Sequence, residues 1–314
     1  MKDFLVIGSR GSKLALTQAQ IVKDQIQLLY PSLQISIEII KTSGDVKTES
    51  LSVIGGKGVF TKELEDALLD GRIDLAVHSL KDLPTIVPEG LAIAAICKRE
   101  DHRDALILPI RGVPKSIVSI SKLRQRATVG TSSPRRLAQL KHLRPDLVFK
   151  DLRGNVDTRL RKLDEGQYDA LVLACAGLRR LKLEKRISAA LTTQEMLPAV
   201  GQGALAIEMR NENEFTELIT KLDHKFTRLA CVAERAFLRS LGGGCQLPIA
   251  AHAVVREKRI RLDGLVADTE GKQIVRARLS GAFDEAEELG LRLAEQLLAN
   301  GARDLLNQES TPDH

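Results

Sequence analysis

The sequence predicts an α/β protein: two units of alternating strands and covering helices, followed by a small α+β region. Three observations carry this. At 314 residues the chain is longer than one ordinary hydrophobic core serves. Strand and helix patterns alternate from the N-terminus toward Phe226. Beyond Phe226 three strand-like runs follow one another with only short turns between them, the mark of an antiparallel sheet.

Taken in order, Phe4 to Ser9 is a short apolar strand. Ser12 then caps a helix patterned by Leu14, Leu16, Ala19, Ile21, Val22 and Ile26, which Pro31 stops. Leu33, Ile35, Ile37 and Ile39 alternate as a strand. Thr61 caps a helix over Lys62 to Asp70, and Asp74 to Ser79 is a buried strand running into a turn. After the strand Leu91 to Cys97, the charged run KREDHRD, Lys98 to Asp104, is expected to be a linker. The second unit has strands at Ala127 to Gly130, Leu147 to Leu152 and Ala170 to Ala174. Its helices open at Ser133-Pro134, where proline suits the first helical position, and at the cap Asn155. A helix over Thr227 to Leu241, strands over Ile249 to Arg256, Arg259 to Asp268 and Lys272 to Leu279, and helices over Glu285 to Leu298 and Ala302 to Asn307 complete the chain.

Charge is unevenly placed. The net charge is +6, yet His102 to Arg186 holds 20 Lys and Arg against 8 Asp and Glu. Such a basic middle seeks anions. Nucleic acid is the ordinary partner for it, but single-strand binders interleave aromatic side chains for base stacking, and this chain has seven Phe, two Tyr and no Trp. Small carboxylates or phosphates are the expected partners, and no nucleic acid is. No apolar run reaches the ~18 residues of a membrane helix, and the N-terminus lacks a secretory pattern, so a cytoplasmic protein with no membrane partner is expected. The four cysteines are widely spaced with no CxxC pair, which argues against disulfides and against a metal site.

The candidate chemistry lies at strand ends. VHSLKDLP, Val77 to Pro84, leaves the carboxyl end of a buried strand, where open α/β sheets place ligands; on its residues alone, Asp82 reads first as turn chemistry. GTSSPRR, Gly130 to Arg136, puts hydroxyls, backbone N–H groups and two guanidiniums at a helix N-terminus, an anion-binding arrangement. LRGNVDTRL, Leu152 to Leu160, repeats the device with Arg153, Gly154 and Arg159. SRGSKLAL places Arg10 and Ser12 at another strand-to-helix junction, and GGKGVF offers Lys57 in a glycine-rich loop. Neither a Walker A motif nor a complete dinucleotide fingerprint occurs. Cys97, Cys175 and Cys231 sit in apolar patterns as small core residues. Cys245 alone lies in a glycine loop, RSLGGGCQLP, with His252 the nearest histidine beyond it. It is either a nucleophile in need of a base or a thiol that is alkylated once and kept as an anchor.

In this order the motifs SRGSKLAL, GGKGVFTKELE, DLAVHSLKDLP, GTSSPRR, DLRGNVDTRL, PAVGQGA and AERAFLRSLGGGCQLPIAA closely resemble the porphobilinogen deaminase (hydroxymethylbilane synthase) family. The resemblance implies two doubly wound α/β domains like those of two-lobed, periplasmic-binding-protein-like proteins, with the chain crossing back to the first, and a small third α+β domain with a three-stranded antiparallel sheet. The expected division is 1–98 with 203–222, 103–197, and 226–314. It implies a transferase that joins four porphobilinogen units, with loss of ammonia, on one dipyrromethane cofactor held in thioether linkage at Cys245, and then releases the linear tetrapyrrole by hydrolysis.

Asp82 matches the family's catalytic carboxylate. Lys57, Ser79, Lys81, Asp82, Thr131, Ser132, Ser133, Arg135, Arg136 and Gly154 match cofactor-contacting positions, and Arg10, Ser12, Arg153, Arg159 and Arg180 match substrate-contacting ones. The acidic residue often found before the two glycines preceding the cysteine is Gly242 here, which implies a looser cysteine loop. A monomer is expected. Two competing functions remain on the residues alone: a two-lobed anion-binding or nucleic-acid-binding regulator, and a cysteine-nucleophile hydrolase.

Overall fold

The computed structural model describes residues 3–42, 61–110, 119–243 and 247–308. The chain divides into two compact units, Met1–Glu100 with Ala204–Arg228, and Asp101–Gly203 with Leu229–His314. The first opens with β1 (Phe4–Ser9), α1 (Lys13–Leu29), β2 (Gln34–Ile39), α2 (Lys62–Leu69), β3 (Leu75–Ser79) and β4 (Leu91–Ile96). Ser12 caps α1 as expected, its hydroxyl accepting from the Ala15 N–H. The buried face of α1, Gln18, Ala19, Val22 and Ile26, has the spacing of one helical stripe. Its apolar members share a core with Leu5 and Ile7 of β1 and Leu75 and Val77 of β3.

The second unit begins with β5 (Asp104–Ile107), β6 (Thr128–Gly130), α3 (Pro134–Leu143), β7 (Val148–Lys150), α4 (Val156–Asp164), β8 (Ala170–Ala174), α5 (Cys175–Arg180) and β9 (Ala189–Ala190). The chain then returns as β10 (Leu205–Arg210) and α6 (Thr216–Thr220) and continues into α7 (Lys225–Ser240). The strand orders are β2-β1-β3-β10-β4 and β7-β6-β8-β5-β9. In each sheet the first three strands are parallel, and the fourth, β10 or β5, runs antiparallel to its neighbours. Both antiparallel strands are the ones the chain makes just after it changes unit.

One expectation is corrected here. Asp104 does not belong to a linker: it opens β5 and is fully buried. Its side chain is satisfied by guanidiniums, which is how a carboxylate can occupy a strand that otherwise reads ALI.

The remainder of the second unit is β11 (Ile249–Arg256), β12 (Arg259–Ala267) and β13 (Ile274–Ala282), paired antiparallel in that order, with α8 (Ala286–Leu297) and α9 (Arg303–Gln308). Leu289, Leu293 and Leu297 of α8 pack with Phe237 of α7 and Ile260 and Leu262 of β12. The fold is therefore the α/β class the sequence predicts, with two mixed, doubly wound sheets and a three-stranded antiparallel one. Cys97, Cys175 and Cys231 are buried and unbridged.

Helix α7 ends in a defined stop. Gly242 has φ +65°, its N–H donates to the Arg239 carbonyl, and the Gly243 N–H donates to the Leu238 carbonyl. This is a Schellman cap, for which glycine is the favoured residue. Gly242 thus has a helix-terminating job of its own.

Candidate active site

In the first unit the Asp82 turn grows directly out of β3. A single 3-10 turn, Leu80–Asp82, follows Ser79. Leu80 is buried, and its N–H donates to the Ala204 carbonyl at 3.0 Å. The Ser79 hydroxyl accepts from Gln18 Nε2 at 2.8 Å, which ties the strand end to α1. Asp82 itself is exposed, Lys81 is half-buried, and buried Leu83 closes the turn with its N–H on the Leu80 carbonyl. A fixed backbone thus presents a solvent-facing carboxylate. Arg10 and Ser12, both half-buried, stand at the end of β1 in the same sheet. The Ser12 hydroxyl is engaged as the α1 cap.

The second unit carries the basic residues on two neighbouring loops. After β6, the residues 131–133 lead into α3; after β7, the residues 151–155 lead into α4. The N-cap positions Ser133 and Asn155 are extended as expected, but neither side chain makes a capping hydrogen bond. Both helix N-termini therefore lack side-chain capping, which leaves them suited to an anion. Ser132 joins the loops: its hydroxyl donates to the Leu152 carbonyl at 2.9 Å and accepts from the Leu152 N–H at 2.8 Å. Thr131 is buried and its hydroxyl accepts from the Ser133 N–H. Gly154 has φ +106°, and a Cβ there would lie 2.8 Å from Thr158 Cγ2. Only glycine fits this bend without strain.

Arg135 and Arg136 are buried on α3 and share one acid. Arg135 Nη1 donates to Asp104 Oδ2 and to the Leu197 carbonyl, each at 2.8 Å. Arg136 meets Asp104 Oδ1, to which Gln202 Nε2 also donates at 3.1 Å. Complete burial alone would raise the Asp104 pKa, but the two guanidiniums outweigh it and hold the carboxyl below the usual carboxylate range. Arg159 is half-buried on α4, with Nε donating to the Gly154 carbonyl at 2.7 Å. Burial and the nearby charge of Arg136 push its guanidinium down to about 10. Three guanidiniums thus crowd together with Asp104 between two of them, a site left with excess positive charge. Arg153 is exposed beside Asp151, and Arg180 Nη2 donates to the Gly203 carbonyl at 2.7 Å.

The second unit therefore brings together Thr131, Ser132, Ser133, Arg135, Arg136, Gly154 and Arg159, and the first places Ser79, Lys81 and Asp82 on one turn. Lys57 and Cys245 lie outside the described residues. Asp104 was not among the expected site residues. Its signal was the apolar run ALIL directly after it, which marks a strand start.

Fixed strand-end turns, uncapped helix N-termini and clustered buried guanidiniums define an α/β protein that handles a multiply anionic small molecule. Residues 5–217 match the family model "porphobilinogen deaminase, dipyromethane cofactor binding domain", and residues 228–299 match the model of the porphobilinogen deaminase C-terminal domain. Among curated relatives, the porphobilinogen deaminase of Synechococcus elongatus is 48% identical over 96% of this chain and 94% of its own length. That of Syntrophotalea carbinolica is 49% identical over 96% and 95%. A solved periplasmic VFT2 domain of Bordetella pertussis BvgS covers 70% of this chain and 86% of its own at 16% identity, with a TM-score of 0.39.

The chain belongs to the porphobilinogen deaminase family. It is a transferase of tetrapyrrole biosynthesis that uses a dipyrromethane cofactor, joins porphobilinogen units with loss of ammonia and yields hydroxymethylbilane.

Proposed function

We propose that Asp82 is the catalytic carboxylate of this transferase, that Cys245 is the attachment point of the dipyrromethane, and that the guanidiniums of the second unit bind the carboxylates of cofactor and substrate. The observation that carries the last assignment is the group of Arg135, Arg136 and Arg159 with Asp104 as the paired acid, beside two helix N-termini without side-chain caps. A group bearing several carboxylates fits that excess of donors and charge. Arg135, Arg136, Thr131, Ser132, Ser133 and Gly154, with Lys57, Ser79 and Lys81, would hold the cofactor. Arg10, Ser12, Arg153, Arg159 and Arg180 would hold incoming substrate.

When bound, the dipyrromethane supplies the free pyrrole carbon to which the first unit is joined. Asp82 has two tasks. As a fixed anion it stabilises positive charge that develops on the substrate's pyrrole as ammonia departs. As an acid and base it passes a proton to the leaving amine and takes one back from the coupled ring. The exposed carboxylate on a backbone held at Ser79 and Leu80 suits both. The scarcity of aromatic side chains, seven Phe and two Tyr with no Trp, weighs against the nucleic-acid regulator, and a tethering thiol does not require the base that a hydrolase would need.

The finer organisation follows the same proposal. Residues 1–98 with 203–222, 103–197 and 226–314 are three domains, the last two each carrying a separate sheet within the second unit. The protein acts as a cytoplasmic monomer; no helix among the described residues is long and apolar enough to cross a membrane.

Intact-mass measurement tests the attachment. The active protein is expected to be heavier than its sequence by one dipyrromethane, and C245A to lack the increment; an unmodified mass in active protein would refute the role of Cys245. For Asp82, D82N made in protein already carrying the cofactor is expected to lose about 10²–10⁴ in porphobilinogen consumption. Turnover at the wild-type rate would remove Asp82 from the mechanism.

A further inference from the structure

The turn joining β12 to β13, residues 268–273, is braced from within. The Asp268 carboxylate accepts from the N–H groups of Lys272 and Gln273, the Asp268 N–H donates to the Gln273 carbonyl at 3.1 Å, and the Gly271 N–H donates to the Asp268 carbonyl at 3.1 Å. A carboxylate that satisfies neighbouring N–H groups holds the backbone to one local shape. Gly271 is buried and has φ +67°, a conformation glycine adopts without steric cost.

What buries Gly271 is α3. A Cβ there would lie 2.3 Å from the Ala138 carbonyl oxygen and 3.0 Å from the His142 backbone nitrogen, so turn and helix meet backbone to backbone. The Gly271 carbonyl stands 3.0 Å from His142 Nδ1; a carbonyl only accepts, so Nδ1 is the donor. Ala138 and Leu197 also share an apolar cluster with Ala250 of β11 and Leu265 and Ala267 of β12. The Lys141–Glu270 ion pair at 2.9 Å has an exposed carboxylate and adds little. Close packing and the His142 bond fix the contact.

The stripe of α3 that meets the turn is the one that carries Arg135. Residues 135, 138, 139 and 142 recur at helical spacing and share a face. Arg135 and Gln139 donate to the Leu197 carbonyl at 2.8 and 3.1 Å, and the Leu197 N–H donates to Gln139 Oε1 at 2.8 Å. The segment leading to Leu197 is held by the same sheet, because Arg276 of β13 donates to the Thr193 and Gln194 carbonyls at 2.9 and 3.2 Å. Helix α3 is thus gripped twice, directly at Gly271 and through residues 193–197.

We propose that the β12–β13 turn, through Gly271 and His142, is a positioning clamp on α3 that sets Arg135 and Arg136 for the carboxylates of the dipyrromethane. The inference rests on the roles given above to these arginines and to Cys245. Residues 226–314 then have two tasks toward the cofactor: they hold it by its thioether, and they fix the helix that takes its carboxylates. Displacing α3 moves the cofactor's anchor while leaving Arg10, Ser12, Arg153, Arg159 and Arg180, none of which is on α3, in place for substrate.

G271A and G301A test it together. Both glycines have positive φ and lie in the second unit, but a Cβ at Gly301 meets nothing within 4 Å. G301A therefore reproduces the backbone cost without pressing on α3. Purified G271A is expected to show a larger unmodified fraction by intact mass than G301A. On the loaded fraction its kcat should be lower by about tenfold or more, with KM for porphobilinogen little changed. H142A should move loading and kcat in the same direction by less, and H142N, whose amide N–H replaces the Nδ1 donor, should recover them.

A G271A that loads and turns over like G301A overturns the proposal. Should G271A fail to fold, the histidine variants decide: wild-type loading and kcat in H142A overturn it, and so does a loss that H142N leaves unchanged. R136K, which keeps the charge but not the two-nitrogen grip, separates the clamp from the reading beneath it. Full loading and turnover in R136K removes the role of Arg136, whereas an impaired R136K beside a G271A equal to G301A removes only the clamp's.

Discussion

Arg136 reaches Asp104 with two nitrogens, Nε at 3.0 Å and Nη2 at 2.8 Å, and both bonds end on the same oxygen, Oδ1. Oδ2 is left to Arg135. One buried carboxylate thus orients two guanidiniums and cancels one of their charges. D104N would leave two buried cations facing each other, and about 3–5 kcal/mol of stability should go with the acid. Urea unfolding measures this. The same variant should acquire its covalent cofactor poorly, visible in intact mass; a loss near zero with full loading would show that the arginines keep their places unaided.

Acid should loosen the second unit first. Burial raises the carboxyls of both Asp104 and Asp101, but Arg135 and Arg136 outweigh it at the first, and Arg103 with Arg179 at the second, so both titrate below the usual range. Such groups contribute stability that is present above the unfolded value of about 3.9 and is lost as pH falls. Glu65, in the first unit, is shifted upward by its burial; its folded form keeps the proton to higher pH, and its contribution declines as pH rises. Hydrogen exchange at about pH 2.5 against pH 6, a window that lies across the unfolded carboxyl value of about 3.9, should therefore show β5 and β6 losing more protection than β1 and β3.

S132A removes a hydroxyl that both donates to and accepts from the backbone of buried Leu152. The expected cost is about 1–3 kcal/mol. Because the hydroxyl links the two loops that carry the guanidiniums, KM for porphobilinogen should rise more than kcat falls, which steady-state kinetics on loaded enzyme would show.

Gly154 and Gly166 form a matched pair. Both have positive φ, but a Cβ at Gly154 meets Thr158 at 2.8 Å, while one at Gly166 meets nothing within 4 Å. Each alanine variant should lose about 1–3 kcal/mol for its backbone conformation, with G154A the costlier. Equal losses in thermal or urea unfolding would show that Thr158 moves aside freely.

The strand ends were legible because their residues have local meaning. Pro134 after a small-hydroxyl run, the glycine before Asn155 and the apolar strand before Ser79 each fix a junction within a few residues. The long-range partners were hidden for the opposite reason. Asp104 reads as one more charge in KREDHRD until the fold places two arginines from α3 around it. Glu208 in LAIEMR and His78 in DLAVHS are polar residues inside buried strands, but only the antiparallel register shows that they lie next to each other, with Nε2 and Oε2 3.0 Å apart. Likewise GGGC reads as pure flexibility until two of the glycines are seen to terminate α7.

The place of β10 sets an order of assembly. It lies between β3 and β4 in the first sheet, yet begins at Leu205. The sheet of residues 104–190 has all its strands before β10 is made. On the ribosome, where domains fold as they emerge, the first sheet remains split, with β4 detached from β3, until the chain has passed through the whole of the second. A truncation before Leu205 should therefore leave an exposed pair of strand edges in the N-terminal sheet while the arginine-bearing sheet is already closed.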